Sequence, residues 1–559
     1  MNKRIIAAAI LALPLAMMAQ TAIDAYQLSR YDLRGTARFM SMGGAFTALG
    51  GDLSTLGQNP AGIGVYRKSE VGITADIDIQ GTKTITPTGS FNNDQTKAYC
   101  TNLGYVGSFY TGLDIMPYFQ FGFNYGRAAS FDRRYKGTNG AMNASLTSYL
   151  AGYTNTEKWS TYDLSVDCYN NGYAPWLSIL GYNGFIINAI EGSTSYTPLW
   201  GDSTTGSSTF DVEEKGYVDE YNINFGGNFT DIVYWGIGLG ITDIEYTQRA
   251  YYGENMRNTN TPNLEIRNQY VDETGEIVNC PPYLDSNGTY QSGNGSFGLS
   301  NYKHISGTGF NFKVGLIVRP IEQLRIGLAV HTPTYYNLDQ NSFGDLDYDY
   351  STMPATATPG MKYTGTPEYN VSYKIRTPWR LMLGVAGVIG SKGIVSLDYE
   401  YRPYQNMTVK SDAGFNYENP SFDPNADLKG DIKSYYDAAH IIRLGAEYRI
   451  SPQFSVRAGF AYESTPTSAT VREGRDMVYT SNPDDTGTNP AYTLDNQAVY
   501  YTAGLGWHHN GFYADAAYVH KYRSSTYHPF TPNTYTADPA SSKVEMSSNN
   551  IVISVGYKF

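Results

Sequence analysis

The sequence predicts an all-β fold: a transmembrane antiparallel β-barrel of about 14 strands with an N-terminal hatch, or plug, inside the lumen. Three observations predict it. Apolar and polar residues alternate over segments of about ten positions from Glu70 to the C-terminus. The links between those segments are short on one side and long and polar on the other. After Ala19 no stretch approaches the roughly twenty continuous apolar residues that a spanning helix needs. Composition agrees, since the 559 residues include 51 Tyr and 58 Gly, with a charged fraction of 16% and a mean hydropathy of -0.38. That balance excludes a helical membrane protein and argues against a charge-rich disordered chain. A net charge of -12 opposes phosphate binding, so no nucleic-acid partner is expected.

Taken in order, 1–19 has a basic start at Lys3 and Arg4, an apolar run from Ile5 to Met18 and a small residue at Ala19, the pattern of a cleaved export signal. Residues 20–69 form the expected hatch. Gly43, Gly44, Gly50 and Gly51 permit close approach and positive φ. Asn59-Pro60 restrains a turn before Ala61 and Gly62. Ala45, Phe46, Ala48 and Leu49 offer an apolar surface, against which a lipid tail rests in one reading and the barrel wall packs in the other.

Residues 70–559 form the expected wall with long extracellular loops. In Arg443 to Ile450, Leu444, Ala446, Tyr448 and Ile450 share one face while Arg443, Gly445, Glu447 and Arg449 share the other. Ile551 to Phe559 repeats the pattern. The same parity holds in Val71–Ile79, Leu103–Phe109, Phe119–Tyr125, Tyr221–Phe229, Trp235–Ile241, Phe310–Val318, Leu324–Val330, Leu381–Ile389, Val395–Tyr401, Phe454–Tyr462, Val499–Trp507 and Phe512–Tyr522. A lysine or arginine facing lipid at the midplane costs about 2–4 kcal/mol, so Lys313, Arg325, Arg443, Arg449 and Arg457 are assigned to a polar lumen. Short links such as Thr111 to Asp114 and Ser391 to Gly393 are assigned to the periplasm. The long ones, Ala129 to Gly216, Arg249 to Lys303, Thr334 to Glu368, Gln405 to Ala438, Thr465 to Gln497 and Ser524 to Met546, are assigned outside. A large soluble β-sandwich or propeller shares the two-residue period but not this regular alternation of link lengths.

Several segments resemble the FadL/TodX family of outer-membrane transporters for long-chain fatty acids and other hydrophobic compounds. They are Tyr26-Gln27-Leu28-Ser29, Gly35 to Arg38, Met42 to Ala45, Asp52, Asn59-Pro60-Ala61, Arg325 to Leu328, Pro378 to Gly384, Asp398-Tyr399, Arg443 to Tyr448 and the terminal Phe559. The resemblance implies a fourteen-stranded barrel closed by a hatch in a Gram-negative outer membrane. It also implies a hydrophobic ligand moving passively past the hatch, and barrel-assembly machinery that reads Phe559. A monomer is expected. The family has a kinked third strand that opens the wall sideways, which makes Pro117 the kink candidate; its plainer place is the periplasmic turn. Trp176, Leu177, Phe185 and Ile187 are candidates for an external ligand-collecting groove or for simple cap packing, and Arg325 or Arg443 for a carboxylate headgroup or for ion pairing. The unusually long outer links leave the ligand open.

No nucleophile elbow, zinc-peptidase motif or Walker loop occurs, so no enzyme, metal or cofactor is expected. Cys100, Cys168 and Cys280 imply neither a disulfide framework nor a metal site, and leave one bridge open. The rival readings are a haemin receptor, a barrel enzyme acting on lipids, and an adhesive barrel without a plug.

Overall fold

In the computed structural model, the described residues are all except 1–21, 172–173, 191–194, 261–268, 272–276, 280–292, 351–361, 391, 412–424, 473–486 and 532–535. The expected export signal therefore lies outside them, as does Cys280. None of the described helices is long and apolar enough to cross a membrane.

Fourteen antiparallel staves close on themselves. They are β1 Glu70–Thr86, β2 Gly89–Tyr110, β3 Tyr118–Ser130 continued by Arg133–Asn139, β4 Thr205–Phe229, β5 Val233–Thr259, β6 Gly293–Ile321 and β7 Leu324–His331 continued by Tyr335–Tyr350. The remainder are β8 Tyr369–Arg376 with Arg380–Ile389, β9 Gly393–Pro403 with Thr408–Ser411, β10 Ala438–Arg449, β11 Phe454–Glu463, β12 Tyr492–His509, β13 Phe512–His528 and β14 Ser542–Lys558. Closure runs from Glu70↔Lys558 to Ile85↔Lys543 between β1 and β14. Closure removes the free edges that an open sheet would present to lipid.

The alternation becomes two faces. On β1, Val71, Ile73, Ile77 and Ile79 point outward and stay 42 to 48% exposed, while Thr74, Asp76 and Asp78 are buried inside. Lys313, Arg443 and Arg457 are likewise buried inside, and Arg325 reaches the plug. Arg449 keeps the inward parity but lies exposed at the rim. The breaks in β7, β8 and β9 fall at Pro333, Pro378 and Pro403, where the missing N–H interrupts the ladder.

The outer links differ from expectation. Much of Ala129 to Gly216 and Arg249 to Lys303 is wall, because β5 pairs with β6 continuously from Val233↔Val318 to Glu254↔Phe297 and beyond. On β5 the outward residues change from Trp235, Ile237, Leu239 and Ile241 to Asp243, Glu245, Thr247 and Arg249. Above that line water replaces lipid, and pairs such as Arg134–Asp211 at 2.6 Å hold the outer face. The ladder goes on without its hydrophobic signature, rising roughly 40 Å beyond the lipid band at about 3.3 Å per residue and the usual tilt.

Residues 22–65 lie inside this tube. They form α1 Ala22–Leu28, α2 Ala37–Ser41, α3 Thr55–Gln58 and a 3-10 turn at Pro60–Val65, all largely buried. A cap of α4 Leu146–Glu157, α5 Cys168–Asn171, α6 Trp176–Asn183 and a short hairpin, Ile187–Ala189 with Tyr196–Pro198, sits at the outer end.

Candidate functional site

The inner segment is held by its own turns first. Thr36 caps α2 by accepting the Phe39 N–H at 3.2 Å. The chain then reverses through Gly43 and Gly44, whose φ values of 63° and 73° disfavour other residues. Asn59 accepts the Ala61 N–H at 3.0 Å and donates to the Thr47 carbonyl at 2.6 Å, joining the two halves of the segment. Pro60 opens the 3-10 turn, where a missing N–H costs nothing. Ala61 and Gly62 are buried in that turn. Phe46 is wholly buried against Phe39, with the Arg38 guanidinium 5.3 Å from its ring centre, so this apolar surface is spent on packing.

The wall meets this segment with glycines. A Cβ at Gly236 would strike the Pro60 carbonyl, at Gly315 the Asn59 amide, at Gly327 the Thr47 carbonyl, and at Gly445 the Met42 backbone. Gly238 and Gly240 face Asn224 and Asn311 side chains of neighbouring staves instead. Polar tethers complete the fit: the Thr47 N–H donates to Asp398 at 2.7 Å, Arg38 to Glu447 at 2.9 Å, and Arg325 to the Leu49 carbonyl at 2.6 Å. Arg34 reaches Asp76 at 2.7 Å and Asp78 at 2.9 Å.

Pro117 lies in the short link before β3, where its carbonyl accepts the Thr111 N–H at 3.0 Å. The discontinuity of the third stave is higher, at a register shift between Arg127 and Ala129 and a break at Phe131-Asp132. The β2–β3 ladder runs only from Tyr110↔Tyr118 to Asn102↔Gly126, although β2 continues to Gly89 paired with β1. Side chains fill the gap. Tyr99 donates to Asp132 at 2.6 Å, and the Arg127 and Arg34 guanidiniums lie 4.9 and 5.1 Å from its ring centre. Behind it, one cavity runs from Thr101, Asn102, Gly126 and Arg127 to Arg380, Arg402 and Arg443 deep in the lumen.

Residues 266–476 match the family model described as Outer membrane protein transport protein (OMPP1/FadL/TodX). That stretch is similar to the FadL/TodX family. Solved structures similar to this chain include a Pseudomonas aeruginosa FadL homologue, 12% identical with a TM-score of 0.48 over 95% of this chain and 99% of that one. The P. putida toluene transporter TodX is 12% identical, with a TM-score of 0.46 over 94% and 99%. The Ralstonia pickettii toluene transporter TbuX is 14% identical, with a TM-score of 0.41 over 94% and 99%. No curated protein matches.

The external candidates come together as the core of the cap. Trp176, Leu177 and Ile187 are buried, and Phe185 packs partly buried beside them, 5.6 Å from the Tyr348 ring centre. Their apolar surface packs in one cluster with Leu150, Leu180 and Leu346. Cys100 and Cys168 are free thiols. Sequence reasoning missed Tyr99, Arg127 and Asp132 because their signal is a strand pairing that fails, which no local pattern records. It singled out Arg443 but missed Arg380 and Arg402, which share Glu400 with it, although both lie on the inward parity and were findable that way.

Proposed function

We propose that this outer-membrane barrel passes hydrophobic molecules, fatty acids or similar compounds, passively inward, with residues 20–69 as the gate. The observations that support the reading are two: a segment is tethered to glycine-faced staves, and side chains join the stretch where β2 and β3 do not pair. A greasy ligand leaving through that stretch enters the bilayer without crossing the aqueous lumen below. Displacement of the inner segment by ligand then connects the outer entrance to the side exit.

The test uses the barrel in liposomes. Deleting Gln20 to Gly64 should raise leakage of small polar solutes, and the intact protein in mild detergent should carry or take up acyl compounds. Unchanged leakage would remove the gate from this reading. Absence of co-purified and added fatty acid from the protein would count against the transport itself.

A further inference from the structure

We infer that the water-exposed outer face of β5, β6 and β7 carries a glycan-binding notch, which takes uncharged sugars of the outer-leaflet glycolipid around the barrel. The inference rests on the outer-membrane placement proposed above and on none of the passage steps. Tyr251 pairs across the sheet with Ser300, and Ser300 with Asp345, so a small residue stands between larger neighbours and leaves a recess. Tyr302 and Phe343, directly paired on the next rung, form one side of it, with ring centres 5.1 Å apart and planes 26° apart. Tyr251 forms the other side. It lies flat across the paired glycines Gly253 and Gly298, since a Cβ at the first would stand 2.5 Å from its hydroxyl and at the second 2.7 Å from its ring. With one face on the sheet and 39% of its surface still exposed, the ring turns its other face outward. The notch measures about 470 Å³, inside the range of about 300–1,000 Å³ usual for small-molecule sites.

The charges around it cancel. Arg134 is paired with Asp211 at 2.6 Å, Lys215 with Glu213 at 2.8 Å, and Arg249 stands 3.7 Å from the same Glu213. Asp345 accepts the Tyr363 hydroxyl at 2.5 Å, and Asp347, opposite Gly298, adds a further acid. A phosphate or carboxylate therefore gains no net attraction here. A cation finds its aromatic seat taken, because the Arg249 guanidinium already lies 5.7 Å from the Tyr302 ring centre. What remains is aromatic faces set beside planar hydrogen-bonding groups. That combination suits a pyranose, whose C–H face rests on a ring while its rim hydroxyls exchange bonds with carboxylate, guanidinium and serine.

Height selects the source of the sugar. Arg249 and Tyr251 lie eight and ten residues beyond Ile241, roughly 20–25 Å above the acyl layer at about 3.3 Å per residue and the usual tilt. The sugars of an outer-leaflet glycolipid stand at that level, above the phosphates that flank its acyl chains.

The experiment is calorimetric titration of the full barrel in uncharged detergent with three probes: outer-core oligosaccharide released by mild acid from the native host's glycolipid, maltopentaose, and inorganic phosphate. The oligosaccharide should bind, with an affinity that raised NaCl leaves unchanged. Tyr251→Ala should weaken it about threefold to tenfold, the worth of one aromatic contact. Asp345→Asn, which keeps the shape of the notch, should weaken it too, while Tyr335→Ala, exposed on β7 outside the notch, should not. A retained gel-mobility shift on heating would establish that each variant is a folded barrel. The inference is overturned if wild-type protein binds no oligosaccharide, if phosphate displaces it, or if folded Tyr251→Ala and Asp345→Asn both bind it as wild type does. Maltopentaose bound as tightly as the oligosaccharide would also overturn it, by making the notch a site for free sugars. Fatty-acid uptake by the same preparation separates the two readings: uptake without sugar binding sinks only the notch, and sugar binding without uptake sinks only the passage.

Discussion

The Thr47 backbone N–H donates to the Asp398 carboxylate at 2.7 Å, a bond from the inner segment to the ninth stave, and the same Thr47 accepts from Asn59 through its carbonyl. Two halves of the segment and the wall are thus locked at one residue. A hydrogen bond to a charged partner in a buried setting contributes about 1.5–3 kcal/mol. Asp398→Ala should therefore loosen the segment without unfolding the barrel, and conductance to small ions in planar bilayers should rise. Asn59→Ala should do the same by freeing the Thr47 carbonyl. Wild-type conductance in both variants would mean that the segment is held elsewhere.

The glycines of the wall make a second, independent claim. A side chain at Gly315 would enter the Asn59 amide and lie 2.8 Å from the Ala61 nitrogen, whereas a Cβ at Gly387 meets nothing within 4 Å. Overpacking of this kind costs about 1–3 kcal/mol. Gly315→Val is expected to expose the inner segment to added protease in detergent, and Gly387→Ala to leave cleavage as in wild type. Equal cleavage patterns for the two would refute a tight fit.

What the sequence made legible depended on solvent. Where lipid touches the wall, Ile237, Leu239 and Ile241 against Gly238 and Gly240 made both strand and facing readable, and fourteen such segments matched fourteen staves. Where water touches it, as at Arg134, Asp211 and Arg249, both faces of the sheet are polar and continued strand reads as loop. The inner segment was legible from Asn59-Pro60 and the paired glycines because they encode local turns. The β2–β3 gap was not, since it depends on which strand fails to find a neighbour above Asn102, and Pro117 stands at the other end of β3, in the short link that was its plainer place.

That gap yields a third prediction. Tyr99 stands between Arg34 of the inner segment and Asp132 at the break in β3, and its ring is the largest of the groups that join them. Tyr99→Ala removes both the ring and the 2.6 Å bond to Asp132. Entry of a membrane-soluble fluorescent fatty acid into liposomes should quicken several-fold, while Tyr125→Ala, on a paired part of β3, should change it little. Equal rates for wild type and Tyr99→Ala would close this route.

The cap supplies a prediction in pH. Glu254 lies well above Ile241, the last lipid-facing residue of its strand, and is buried at the start of α4. There it accepts the Leu146 N–H at 2.8 Å and hydroxyls from Ser145 at 2.5 Å and Tyr252 at 2.8 Å. Burial outweighs these donors and pushes its carboxyl up to about 7. The folded cap thus holds a proton that the unfolded cap gives up near the ordinary glutamate range. Its stabilising share is complete below that range and is lost as pH rises through about 7. Hydrogen exchange at the amides of α4 should therefore show protection that falls between pH 5 and 8 after correction for the intrinsic rate. Glu254→Gln cannot ionise and should flatten the profile. A wild-type profile already flat across that window would mean that the carboxylate is charged in the folded cap, stabilised by the helix N-terminus more strongly than burial opposes it.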